Sequence, residues 1–192
     1  MSVPKPAYTY PEFRALVGLL AAEHRTTGPE QLPFYIRLTA QNPAHLDRLH
    51  AAPLLPALVE RLRQLPRPQQ WLVLAEAWCP DTAFSLPVLA HLAEESAGRV
   101  RLHVVLRSEH PDLMAAYQTD GKNSIPKLIR RDAETGEDLG TWGPRPEAVR
   151  ALSDRLHQDK SLHINQVAKG MSDWYEADNG QEIQQEMLAQ LG

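Results

Sequence analysis

Trp71-Leu72-Val73-Leu74-Ala75-Glu76-Ala77-Trp78-Cys79-Pro80-Asp81-Thr82 is the stretch from which the rest of the chain is best read. Its first residues are nearly all apolar, the pattern of a strand covered on both faces. That strand delivers Cys79, the one cysteine of the chain, to a helix start. Pro80 suits the first helical position, where its missing N–H would have no partner anyway. A thiol there sits at the positive end of the helix dipole, beside unpaired backbone donors that favour thiolate. Farther on, Ser124-Ile125-Pro126-Lys127 leads into another strand-like run, Lys127-Leu128-Ile129-Arg130, and sets a proline at the mouth of such a site.

Before the strand, the periodicity is helical. Phe13, Leu16, Val17 and Leu20 recur at three- and four-residue steps, and a connector rich in Gly and Pro follows at 28–33. Tyr35, Ile36, Leu38, Leu46 and Leu49 predict a second helix or a pair broken near Asn42-Pro43. Leu54 to Leu65 form an amphipathic helix stopped by Pro66-Arg67-Pro68. After Cys79 a helix is expected from Pro80 to about Ala97, kinked at Pro87 and ended at Gly98. Val100 to Leu106 is the next strand, parallel to the first by a right-handed crossover. A short helix opens at Pro111. Strands at Lys127 to Arg131 and Asp138 to Trp142 flank Glu134-Thr135-Gly136-Glu137 as an antiparallel hairpin. Helices follow from Pro146-Glu147 and over Ile183 to Leu191.

The Trp78-Cys79-Pro80-Asp81-Thr82 motif, with Ile125-Pro126, resembles the thioredoxin superfamily, whose Trp-Cys-x-x-Cys helix faces a cis-proline loop. Together with Gly140-Thr141-Trp142-Gly143-Pro144-Arg145-Pro146 and Trp174-Tyr175, it is similar to a bacterial thioredoxin-like family carrying a single-cysteine Trp-Cys-x-Asp motif. The resemblance runs from about Phe13 to the C-terminus. It implies an α/β thioredoxin-like fold, a central mixed sheet flanked by helices. The expected organisation is a helical N-terminal extension (1–68), a thioredoxin-like core (69–158) and a C-terminal helical tail (159–192). It also implies that Pro126 is the cis-proline. Two departures from dithiol thioredoxins stand out: Thr82 occupies the position of the resolving cysteine, and Val73 that of a buried proton-accepting carboxylate.

One thiol still supports exchange: it attacks a mixed disulfide, takes a small thiol onto Cys79, and is released by a second thiol. Such a site would comprise Cys79 as nucleophile, with Trp78, Pro80, Thr82, Ile125 and Pro126 shaping the substrate groove. Thr82 is placed to donate back to the thiolate, and Asp81 opposes ionisation if its carboxylate approaches the sulfur. The balance predicts moderate activation. The alternative is a redox-silent thioredoxin-fold binding or scaffold protein that uses the same groove for an extended peptide.

Other chemistry finds less support. The eight histidines, at 24, 45, 50, 91, 103, 110, 157 and 163, include no i, i+4 pair, and a lone cysteine excludes a cysteine-rich zinc site, so no metal is expected and the histidines read as surface residues. No cofactor is called for beyond a low-molecular-weight thiol as co-substrate. Arg145 reads as an exposed turn residue or as a partner for a carboxylate of a small thiol. Trp174-Tyr175 reads as the anchor of the tail. A net charge of −4, with basic and acidic residues interspersed, argues against nucleic acid or an anionic membrane as partner. A protein or small-molecule disulfide is the expected partner, and the oligomeric state is left open. With no apolar leader at Met1-Ser2-Val3-Pro4 and no membrane-length apolar run, a cytoplasmic, reducing location is expected.

Overall fold

The computed structural model describes residues 3–191. Four strands form one sheet: β1 (Gln69–Ala75), β2 (Val100–Leu106), β3 (Lys127–Asp132) and β4 (Asp138–Trp142), in the order β2-β1-β3-β4. β1 runs parallel to β2, with Trp71 opposite Leu102, and antiparallel to β3, with Leu72 opposite Ile129. β3 and β4 are the antiparallel hairpin. Its turn is held by Asp132, whose Oδ1 accepts from the Glu134 and Thr135 amides at 2.8 and 2.9 Å. Tyr8 adds an isolated antiparallel bridge to Val104 on the outer edge of β2. The sheet is therefore mixed and flanked by helices, an α/β thioredoxin-like architecture.

The two-residue period of β1 divides the core. Trp71, Val73 and Ala75 face a large cluster built with α1 (Tyr10–Ala22), α2 (Pro33–His50), α3 (Pro56–Arg63), α4 (Pro80–Glu95) and α8 (Gln181–Leu191). Leu72 and Leu74 face a smaller cluster with Val105, Met114, Ile125, Ile129 and Cys79. Met114 comes from α5 (Pro111–Ala116). Cys79, just past the end of β1, thus belongs to the smaller of the two clusters.

Two helical expectations are corrected. The Asn42-Pro43 break does not occur: α2 runs unbroken through Pro43. A proline inside a helix removes one backbone bond, but α2 packs along α4, and its buried Thr39, Asn42, Leu46 and Leu49 keep it helical across the gap. The tail contains two helices, α7 (Ile164–Asp178) and α8, where one was expected. Only Val167 and Tyr175 of α7 are buried, too sparse a stripe to announce a helix by periodicity. Its ends are marked more clearly, by a reciprocal His163/Gln166 cap and by Asn179 and Gly180 at positive φ. Between these parts lies α6 (Glu147–Gln158), whose first turn follows Pro146. The helix after Cys79 ends at Glu95, with Ala97 and Gly98 in the left-handed region just beyond.

Candidate functional site

Cys79 is the N-cap of α4, with backbone angles of −82° and 115°, and Pro80 is the first helical residue. The cysteine amide donates to Glu76 O at 3.2 Å, closing the turn between strand and helix. Glu76 in turn ties that turn to the end of β2, its Oε1 accepting from the Ser108 amide at 2.7 Å. From α2, Asn42 Nδ2 donates to Ala77 O at 2.6 Å and to Cys79 O at 3.4 Å. The loop that carries the thiol is therefore fastened on two sides.

The thiol itself points across to the other loop: Cys79 Sγ donates to Ile125 O at 3.4 Å. The Ile125–Pro126 peptide is cis. Pro126 is buried behind Ile125, and its carbonyl is approached closely by Gly143, which sits at φ +103° where a Cβ would strike that oxygen. Trp78 lies half-buried beside the sulfur, its ring 4.6 Å from Tyr35 of α2 and 5.1 Å from the Arg107 guanidinium. Thr82, one turn into α4, is 1% exposed, and its hydroxyl has no hydrogen-bond partner among the described residues.

Cys79 is only 4% exposed. Burial pushes its thiol up to about 12, and the Asp81 charge pushes in the same direction; the Thr82 hydroxyl and amide and the Arg145 charge pull the other way. The moderate activation expected from the helix start is thus overturned: desolvation outweighs the helix terminus when the sulfur has almost no contact with water. Asp81 supplies the rest of the reason. Its carboxylate is turned inward, accepting from Arg145 Nε at 2.8 Å and from the Tyr175 hydroxyl at 3.0 Å. Burial raises the Asp81 carboxyl above its ordinary value in spite of both partners. Burial pulls Arg145 down, but the Asp81 charge and hydrogen bond carry it above its usual range. Tyr175, also stacked on Phe84 at 4.5 Å, is raised well above an ordinary phenol by burial and by Asp81.

Arg145 is therefore neither a free turn residue nor vacant for a foreign carboxylate; this chain's own Asp81 occupies it. Tyr175 anchors the tail, and it does so at the site. The sequence reading missed this Asp81–Arg145–Tyr175 group because its members lie 64 and 94 residues apart and no local pattern links them.

These elements enclose a groove of about 790 Å³. α2 supplies one wall with Phe34, Arg37 and Leu38, α7 the other with Asn165, Lys169 and Met171, and Cys79, Pro80, Asp81 and Phe84 the floor. Trp78 and Ile125 also line it, whereas Thr82 and Pro126 lie behind the wall. Among the described residues no group of three or more His, Cys, Asp or Glu is placed to hold a metal ion. Of the histidines, His24, His157 and His163 are exposed; the other five are partly buried, with His45 and His50 paired to Glu176 and Glu94 at 3.1 and 3.0 Å.

The sequence profile described as thioredoxin matches residues 28–159, more than half of the chain. The chain belongs to the thioredoxin family. Two solved structures share the fold. A protein of unknown function from Pseudomonas aeruginosa superposes with a TM-score of 0.57 at 20% identity, covering 79% of this chain and 84% of that one. An HIV epitope scaffold gives 0.56 at 22% identity, with 82% and 88% covered. No curated protein matches the sequence. Within the family frame, Thr82 stands where a dithiol thioredoxin has its second cysteine, so one sulfur alone is available at this site. Among the described residues no helix is long and apolar enough to cross a membrane.

Proposed function

We propose that this thioredoxin-family protein carries out thiol-disulfide exchange of the monothiol type at Cys79. The observation that carries this reading is the Thr82 hydroxyl: buried, without a partner, and positioned with its own amide to favour a thiolate at Cys79. A buried hydroxyl with no acceptor costs about 1–3 kcal/mol, and an ionised sulfur at Cys79 would supply what it lacks. In the exchange, the Cys79 thiolate attacks the sulfur of a mixed disulfide and forms a new S–S bond to the small thiol. The departing thiolate takes up a proton. A second small thiolate then attacks the bound sulfur, releasing the Cys79 thiolate and a symmetrical small disulfide. Protein or small-molecule mixed disulfides are the substrates, a low-molecular-weight thiol the co-substrate, and a reducing compartment such as the cytoplasm suits a lone thiol.

The resting thiol is guarded. With its pKa pushed up to about 12, the thiol holds its proton at pH 7 far more firmly than a free cysteine does. The higher nucleophilicity of a high-pKa thiolate offsets only part of that loss, so Cys79 reacts more slowly at neutral pH than a free thiol. The same burial favours a second reading, a binding protein whose groove holds an extended segment and whose cysteine takes no part.

Mass measurement of native protein after incubation with symmetrical disulfides separates the two. Exchange predicts a reversible adduct on Cys79 that is absent in Cys79→Ser. A native protein that stays unmodified by every disulfide, while unfolded protein reacts, would sink the exchange reading and leave the binding one.

A further inference from the structure

Within the proposed exchange reading, the groove's charges specify the co-substrate. Asp81 is its one lining carboxylate, and Arg145 matches it at 2.8 Å. Lys169, on the α7 wall, is matched by Asp173 at 2.6 Å. Two cations are left over. Arg37 on α2 is exposed and lies 5.5 Å from the Phe34 ring centroid; it forms no ion pair among the described residues. Arg107, just past β2, faces the Trp78 ring at 5.1 Å and donates to Asn123 O at 3.0 Å, and it too has no carboxylate partner among the described residues. Both line the groove whose floor is Cys79. An unmatched positive pair in a chain of net charge −4 is a local reversal of the protein's overall sign.

We infer that the groove binds a low-molecular-weight thiol bearing carboxylates, its anionic ends held by Arg37 and Arg107 while its sulfur meets Cys79. Arginine suits this task because its planar fork donates two parallel hydrogen bonds to a carboxylate. Size agrees: about 790 Å³ lies within the roughly 300–1,000 Å³ of small-molecule sites. Phe34, Leu38 and Met171 give the intervening wall an apolar surface for the ligand's methylene groups. A neutral extended segment would leave both arginines unanswered. A cationic thiol would be repelled by them.

The test compares the rate of mixed-disulfide formation on Cys79 with glutathione disulfide, neutral hydroxyethyl disulfide and cationic cystamine. It uses the wild-type full chain, the Arg37→Gln/Arg107→Gln variant and the charge-reversed Arg37→Glu/Arg107→Glu variant. The expected result is a preference for glutathione disulfide that falls about tenfold in the neutral variant, falls further on reversal, and weakens with salt. The hydroxyethyl disulfide rate reports any change that the substitutions make to the thiol itself, so the preference is read in each protein as the glutathione disulfide rate divided by it. Equal preference in all three proteins would overturn the carboxylate site while leaving the exchange chemistry standing. If no disulfide modifies Cys79, the exchange reading fails, and the site is then judged by titrating Cys79→Ser protein with S-methylglutathione. Binding that is lost in the charge-reversed background sustains the anion site, and absence of binding overturns it.

Discussion

The behaviour of Cys79 follows from competition between two features a few ångströms apart. The start of α4 offers unpaired amides and a partial positive charge, worth at most about 2 kcal/mol even in a partly buried setting. Against this stand desolvation of a sulfur that is 4% exposed and the inward carboxylate of Asp81. Replacing Asp81 with Asn removes the opposing charge and leaves Arg145 facing the sulfur, so the midpoint of pH-dependent alkylation should fall below about 12. An unchanged profile would show that Asp81 has no hold on the thiol. The same change should cost about 1–3 kcal/mol of stability, because Arg145 and the Tyr175 hydroxyl lose a charged acceptor. Thr82→Val is expected to do the opposite. It removes a hydroxyl that is unpartnered in the resting protein, so thermal stability should hold or rise slightly, while alkylation of Cys79 becomes slower at every pH below the thiol's pKa. Slower alkylation with a large loss of stability would mean that Thr82 is structural only. The thiol also links folding to pH. Because the folded protein holds the proton more tightly than the unfolded chain does, its contribution is complete below about 8.5 and is lost as pH climbs toward about 12. Urea titrations at pH 8 and 10.5 should therefore show wild type losing about 2 kcal/mol more than Cys79→Ala. Parallel losses in the two proteins would contradict a buried, proton-retaining thiol.

Among the elements, α2 has more to do with the site than its place in the chain suggests. It carries Asn42 into the turn after β1, where one side-chain amide serves the carbonyls of both Ala77 and Cys79. It carries Tyr35 against Trp78, and Phe34 and Arg37 into the groove wall. Asn42→Ala takes from the buried Ala77 carbonyl its side-chain donor, while Cys79 O keeps the Ala83 amide at 3.2 Å, and the expected cost is about 1–3 kcal/mol. The amides of residues 77–79 should lose protection in hydrogen exchange, and Cys79 should alkylate faster. Normal protection there would show that Asn42 is not the fastener. The apolar steps of α2 were legible in sequence, but its continuity was not: Asn42-Pro43 reads locally as a stop, and only the packed face against α4 makes one unbroken helix the better solution.

Over the whole molecule, the last two helices close the site from behind. Gln184 of α8 is fully buried; its amide donates to Pro53 O and Gly180 O, and its Oε1 accepts from the Leu55 amide at 2.6 Å. Glu186 accepts from Trp142 Nε1 at 2.5 Å, joining α8 to the end of β4. From α7 comes Tyr175, against Phe84 and Asp81. A chain ending at Gln158 should therefore expose the apolar cluster around Phe84, bind hydrophobic dyes and lose its cooperative thermal transition. A truncated chain that melts cooperatively at the full-length temperature would show that α7 and α8 are an appendage.

How far the chain alone could be read depends on the range of the interaction concerned. The strand into Cys79, the helix start at Pro80, the β3–β4 hairpin and the thioredoxin-like order were legible because each rests on neighbours in sequence: an apolar run, a proline at the first helical position, a Gly-containing turn. The thinness of α7's apolar stripe hid that helix for the same reason. What the tertiary structure decided is the chemical state of the site. The helix start read from sequence predicts a moderately activated thiol. In the folded protein burial and the Asp81 charge push the thiol's pKa up, because α2, Trp78 and the second loop exclude water and because Arg145 and Tyr175 hold Asp81 inward beside the sulfur. Electrostatic energy in a buried site depends on distance and on solvent exclusion, and both are set by residues that meet only when the chain is folded.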